Sequence, residues 1–419
     1  MYMYPRPLGR ASRAAGAVRA GGCLRPSCLR LLASLPPILL FSSLRASIHS
    51  GLCLCRSPNA LLRGGAAPAR MVVLGGVLEE RSGLGLGCMS VSGQYDNGVP
   101  LPPDEALRFF RGVHKAGCRH FDTAEVYKSG PFSLGGVTAD TVFNETQLGS
   151  FFATVPRDSF TVATKYMPSL REGRSDYAAV KGALVDSLGR LGLDYVDVYY
   201  SHRVVSRDQA VEFTQSVQRL VEEGLVRSIG LSEVSAAWLR AAHTVAPVSV
   251  IQQEWSLLTR GIEEELVPTC LELGIGIVAY SPLARNLLAA PKERPTDQRR
   301  KSIPRFAEEN FEENQKMLAR LEALAQAKAV STAQLSMAWL MHKARELGVQ
   351  CLPIPGTKTL SHALDNIASA QITLASEDMA LLEEIGAMVV GERESESYRS
   401  ASLEGNTEKA SLEESGAKL

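Results

Sequence analysis

The chain has 419 residues, 45% of them apolar and 21% charged, which suits a globular protein of one large domain or two ordinary ones. Its 45 basic residues balance its 45 acidic ones, so no net field draws it to nucleic acid or to an anionic membrane. Of its eight cysteines, none forms a Cys-x-x-Cys pair and none has a His at zinc spacing, which argues against a metal site or disulfide and points to reduced thiols in a reducing compartment.

Charge is unevenly placed at the start. Residues 1–70 hold ten Arg but no Lys, Asp or Glu, and the first acidic residue is Glu79. Two readings stand side by side. An Arg-rich, Ser-containing, acid-free stretch has the make-up of a mitochondrial or plastid transit peptide. Alternatively Met71 is the working start, which leaves a cytoplasmic protein. The apolar run Leu31–Leu44 is broken by Pro36-Pro37 and is too short to span a bilayer. Under the first reading residues 1–70 are a disordered leader, under the second they are not normally translated, and under either they stay outside the core.

From residue 83 short apolar, β-branched runs alternate with amphipathic helical patterns. The runs are Leu84–Cys88, Cys118–Phe121, Phe160–Thr164, Tyr195–Tyr200, Val226–Leu231, Ser249–Gln252, Gly276–Tyr280 and Val349–Pro353. Among the helical stretches, Asp104–Ala116 carries a Leu107/Phe110/Val113 stripe, and Tyr177–Leu191 repeats Val180, Leu184, Leu188 and Leu191. Ser331 and Gln334 have capping-box spacing ahead of the helix over 331–342. Strand-then-helix units in series predict an α/β fold, a (β/α)8 TIM barrel. A doubly wound sheet would carry a G-x-G-x-x-G turn, and the run Gly83-Leu84-Gly85-Leu86-Gly87 lacks that spacing. Two stretches read as long loops, 128–143 after Tyr127 and 285–308 after the seventh run. Residues 392–419 are Ser/Glu/Lys-rich and read as a flexible tail.

In such barrels chemistry gathers where the strands end. The second run ends in Asp122, with Tyr127 five positions on; the third ends in Lys165; the fourth leads to His202. Taken singly, each has a plain structural reading: a cap, a solvated lysine, a core histidine, a packing tyrosine. Taken together they form one mechanism. A Tyr phenol, with an ordinary pKa near ~10, donates a proton near neutrality if a cation beside it lowers that value. Lys165 supplies the cation, Asp122 holds Lys165, and His202 positions the oxygen that receives the proton from Tyr127.

The motifs HFDTAEVY, VATK, LGLDYVDVYYSHR, LVEEGLVRSIGLSE, IQQEWSLLTR, LGIGIVAYSPLAR and LPIPGTK, in this order over about residues 83–398, resemble the aldo-keto reductase family. They are most similar to its plant, fungal and bacterial branch, which includes perakine reductase and auxin-induced-protein-like reductases. The resemblance implies that 71–391 is the barrel, that the cofactor is NADPH/NADP+, and that an aldehyde or ketone is reversibly reduced to an alcohol. The family's four catalytic positions match Asp122, Tyr127, Lys165 and His202. It further implies that Ser232 and Gln252 hold the nicotinamide carboxamide and that Tyr280 stacks on the ring. Ser281, Leu283 and Arg285 would line the pyrophosphate. Gly356, Thr357 and Lys358 would approach the adenosine phosphate, with His362 as a further contact and Asp365 and Asn366 near the adenine. A cationic lining favours NADPH over NADH.

Departures from the family pattern fall on loops. Ser232-Glu233 stands where many members have Ser-Asn, as in the plant-like branch, Lys128 replaces the Gly usual after the catalytic Tyr, and Val204-Val205 replaces the usual acidic or polar residue after His202-Arg203. The family's N-terminal hairpin is abbreviated between Met71 and Ser82. Phe132, Phe143, Trp255 and Phe306 are candidates either for an apolar substrate pocket or for plain core packing. The expected partner is a small carbonyl compound, with no nucleic acid, membrane or metal; the sequence leaves the substrate and the oligomeric state open. Two rivals keep the fold. One is an NADPH-binding, redox-sensing auxiliary subunit of the channel β-subunit kind, with weak turnover. The other is a barrel aldolase or isomerase that uses Lys165 as a Schiff base.

Overall fold

The computed structural model describes residues 72–76, 78–80, 82–95, 98–130, 136–399 and 402–415. The leader 1–70 and Phe132 lie outside them.

Two three-residue strands, β1 (Val72–Leu74) and β2 (Leu78–Glu80), form an antiparallel hairpin, the short version expected from the sequence. Leu74 and Leu78 are fully buried against Val198, Tyr200, Val250, Val278 and Leu352, and so plug one end of the barrel. The fit is close. A Cβ added at Gly276 would meet Leu74 Cγ at 2.5 Å. Glu80 ties the hairpin down by accepting from Arg119 N at 2.7 Å and His120 N at 2.8 Å.

Eight parallel strands follow: β3 (Leu86–Gly87), β4 (His120–Asp122), β5 (Thr161–Tyr166), β6 (Val196–Ser201), β7 (Val226–Ser232), β8 (Val248–Glu254), β9 (Gly276–Tyr280) and β10 (Cys351–Pro353). Each pairs with its neighbours in chain order. The sheet closes on itself where Gly85 N donates to Pro353 O at 2.9 Å, Gly87 N donates to Pro355 O at 3.2 Å, and Gly87 bridges Gly356. These are the expected strands, with ends moved by a few residues. The first is shortened because the backbone before Leu86 is spent on closing the barrel.

The helices are α1 (Pro103–Lys115), α2 (Asn144–Phe152), α3 (Tyr177–Leu191), α4 (Arg207–Glu222), α5 (Ala236–Val245), α6 (Leu266–Leu273), α7 (Gln298–Lys301), α8 (Glu308–Ala327), α9 (Thr332–Glu346), α10 (Leu360–Ala368), α11 (Ser376–Gly386), α12 (Glu396–Arg399) and α13 (Leu403–Glu414). Local chemistry sets their ends. Asp176 accepts from Ala178 N and Ala179 N at the start of α3, and Gly192 closes it in the left-handed conformation. The Ser331–Gln334 capping box forms on α9. On α1 the buried stripe is Ala106, Phe109, Phe110 and Val113, and Leu107 is partly buried beside it.

Two segments carry more order than composition alone indicates. Within 285–308, α7 and two 3-10 turns form, and Arg305 is buried, donating to Thr259 Oγ1 at 2.9 Å and Leu258 O at 2.7 Å. The described part of 392–419 is helical over α12 and α13. Asn406, on α13, donates to Val204 O at 2.8 Å, and Leu403 and Ala410 are buried. A few buried contacts at wide spacing anchor this stretch, and average composition does not register them. Among the described residues no helix is long and apolar enough to cross a membrane. Among them too, no group of three or more His, Cys, Asp or Glu could hold a metal ion.

Candidate active site

Strands β4, β5 and β6 are adjacent and parallel, so residues that end them meet. The Lys165 ammonium, fully buried, forms an ion pair with Asp122 Oδ1 and donates to Thr123 O at 2.8 Å. Gln252, from β8, donates to the other Asp122 oxygen at 2.7 Å. Lys165 Nζ lies 5.1 Å from the Tyr127 ring centroid. The His202 ring stands edge-on to the Tyr127 ring, with centroids 5.6 Å apart and planes at 80°. Asp122, Tyr127, Lys165 and His202 therefore form one contiguous group.

The loop after β4 is held from two sides. Asn144 N donates to Tyr127 O at 2.9 Å, Asn144 Nδ2 to Cys88 O at 2.9 Å, and Thr123 Oγ1 to Asn144 Oδ1 at 2.6 Å. Glu125 accepts from Met167 N at 2.6 Å and is gripped by both Arg171 nitrogens. Sequence reading did not single out Asn144 or Arg171. They sit about 17 and 44 positions beyond Tyr127, and no local pattern marks them.

Burial and charge act in opposite directions here. Burial works to lower the Lys165 ammonium, but Asp122 and Tyr127 outweigh it, and its pKa stands above the ordinary value. Burial raises the Asp122 carboxyl, and Lys165 and Gln252 oppose the rise. Burial also dominates at Tyr127. Lys165 pulls the phenol down as the sequence suggests, yet the net shift is upward, with the Asp122 charge adding to it. The expectation of a lowered phenol is thus corrected: the Lys165–Asp122 pair is close to neutral as a whole and cannot offset complete burial. Tyr127 is a protonated donor, not a phenolate. His202 is held well below its usual range by burial, then by Lys165, Arg203 and Arg299, so its ring is neutral.

These groups open on a cavity of about 1130 Å³. Asp122, Tyr127 and His202 line it. So do Ser232, Gln252, Tyr280, Ser281, Leu283, Arg285, Gly356, Thr357, Lys358 and His362. Asp365 and Asn366 are not among its lining residues; they lie on α10 further along than His362, where Asn366 is buried and Asp365 O accepts from Gln334. Trp255 and Phe306 do not reach the cavity either. Trp255 is buried and donates to Glu263 at 3.0 Å, and Phe306 packs on Phe311. Phe143 lies under the Arg190 guanidinium. Apolar surface in the cavity comes instead from residues such as Met89, Met167, Pro168 and Val205, and the cavity also holds Arg203, Arg299 and Arg300.

The cavity fits a dinucleotide phosphate. Arg285 is buried with its Nε unpaired, an orphaned donor beside the expected pyrophosphate seat. At the other end α10 begins at Leu360, and Thr359 before it makes no side-chain cap, so the first amide groups remain for an anion. Glu233, directly after Ser232, ties this region together. It is buried at φ +56° and accepts from Tyr280 Oη at 2.8 Å, Arg393 Nη2 at 2.7 Å and Leu403 N at 2.7 Å. Burial alone would raise its carboxyl, but Arg393 and Arg203 hold it at about 2.

Residues 83–387 match the model of the Aldo/keto reductase family. The chain belongs to the aldo/keto reductase family. It is 37% identical over 310 residues to "Probable aldo-keto reductase 1" of Glycine max, covering 72% of this chain and 84% of that protein. A glycerol dehydrogenase from Gluconobacter oxydans superposes with a TM-score of 0.63 at 22% identity, covering 77% of this chain and 97% of its own. An aldo-keto reductase from Klebsiella pneumoniae, solved in complex with NADPH, gives 0.58 at 23% identity, covering 78% and 97%. These likenesses establish the barrel fold, and the family match establishes an oxidoreductase.

Proposed function

We propose that this chain catalyses the NADPH-dependent reduction of an aldehyde or ketone to an alcohol, reversibly. The observation that carries the reading is Tyr127, held protonated beside the buried Lys165–Asp122 pair at the wall of a cavity with cationic groups. When bound, the nicotinamide supplies a hydride to the carbonyl carbon. Tyr127 gives its proton to the carbonyl oxygen, where negative charge develops. Lys165 stabilises the phenolate that remains, and Asp122 fixes Lys165 in place. The neutral His202 ring positions the oxygen against Tyr127. Ser232 and Gln252 would orient the carboxamide, Tyr280 would face the ring, and Arg285, Lys358 and His362 would take the phosphates.

Lys165 is poorly suited to Schiff-base chemistry. An amine nucleophile needs a lowered pKa, and Lys165 has a raised one with its charge already paired. The test is NADPH consumption over aliphatic, aromatic and quinone carbonyls with protein begun at Met71. Turnover of one of these classes is expected. Tight NADPH binding with no turnover of any would contradict the reading.

A further inference from the structure

Arg285 already has anionic company. Its Nη2 is ion-paired with Glu394, from the C-terminal stretch, and lies 3.3 Å from Glu254. Its pKa stands above the ordinary value: burial opposes this, and both carboxylates outweigh burial. The loop that carries Arg285 needs such support. Ser281, Ala284, Arg285, Asn286 and Ala290 all have positive φ, between 47° and 79°. For side chains other than glycine that backbone region is sterically disfavoured.

The two carboxylates are not equivalent. The Glu254 side chain is 1% exposed and accepts from Thr259 Oγ1 at 3.1 Å and Arg393 Nη1 at 3.2 Å. The Glu394 side chain is 11% exposed and lines the cavity. Arg393, its neighbour, is fixed to Glu233 and lies 3.9 Å from Glu394 itself. A phosphate and two carboxylates on one guanidinium would repel each other strongly in so buried a place. The charge that can leave at least cost is that of Glu394. It is the more exposed of the two and lines the cavity, whereas Glu254 is enclosed and held by Thr259 and Arg393.

We propose that Glu394 is an affinity-setting residue of the cofactor site: it occupies Arg285 in the free protein and yields it to a cofactor phosphate. This rests on the assignment of Arg285 to the pyrophosphate. Glu394 then acts as a built-in competing anion. It keeps the strained loop in its binding shape while the site is empty, and it weakens cofactor binding by the work needed to move it.

The experiment is a fluorescence titration with NADPH of the wild type, Glu394→Gln, Glu394→Ala and a surface control, Glu408→Gln. Glu408 pairs with Arg399 on the exposed side of the same segment. Removal of the Glu394 charge is expected to tighten NADPH binding about fivefold or more in both variants, with the control unchanged. Unchanged or weaker binding in both Glu394 variants, with the wild type binding NADPH, overturns the inference alone. A wild type that binds no NADPH overturns the cofactor assignment and the inference with it.

Discussion

Lys165 Nζ and the Tyr127 ring stand 5.1 Å apart, with the Asp122 carboxylate bonded to the same ammonium and sealed from solvent. Lys165 therefore acts on Tyr127 through a partly neutralised charge. It moderates the upward push of burial on the phenol without reversing it.

This gives a signed prediction for Lys165→Met. Loss of the cation removes a lowering influence, so the Tyr127 phenol rises further. In alcohol oxidation, which needs the deprotonated phenol, the acid limb of the pH–rate profile moves to higher pH. The reductive kcat falls by about 10²–10⁴-fold, the usual weight of a positioned acid. An unchanged profile would remove Lys165 from this role.

The variant should also lose stability, because Asp122 is left as a buried carboxylate without its cation. Breaking such a pair costs about 3–5 kcal/mol. The double variant Lys165→Met/Asp122→Asn should unfold less easily than the single one in a denaturant titration.

Glu233 makes acid stability readable. Its folded pKa, about 2, lies below the ordinary value of 4.5. A depressed carboxyl contributes stability that is fully present above the unfolded pKa and is lost as pH falls through the folded one. The Glu233 contribution should therefore fade from about pH 4.5 down to about pH 2. Thermal melts of the wild type and Glu233→Gln should converge across that window; a constant gap would contradict it. Trp238, whose Nε1 donates to Glu413 at 2.9 Å, reports fluorometrically on docking of the C-terminal stretch.

Cofactor preference rests on the α10 end of the cavity. Lys358→Ala is expected to weaken NADPH binding by about tenfold while leaving NADH binding nearly unchanged, because one charge-assisted contact to a 2′-phosphate is lost. Equal losses for both dinucleotides, measured by titration, would place Lys358 elsewhere.

The sequence made the barrel legible because each strand and helix announces itself locally, through apolar runs and caps such as Ser331–Gln334. The grouping of Asp122, Lys165 and His202 was legible for a related reason: they follow directly from the ends of adjacent strands, and parallel register brings them together. What lay hidden depends on long-range pairing. The Glu233–Arg393 bond spans 160 positions, and Glu394 meets Arg285 across 109. Nothing in the make-up of 392–419 distinguishes a solvated charge from one with a buried partner. Trp255 and Phe306 misled for the converse reason, since a large aromatic serves a core as readily as a pocket. The net rise at Tyr127 needed the depth of burial, which a charge pattern does not contain.

The most direct measurement compares Tyr127→Phe with the wild type in two readouts, kcat for carbonyl reduction and the Kd for NADPH. The ring stays and the proton goes. The prediction is a kcat lower by about 10²-fold or more, with a Kd within about twofold of the wild type. A variant that kept most of its kcat would show that Tyr127 is not the proton donor.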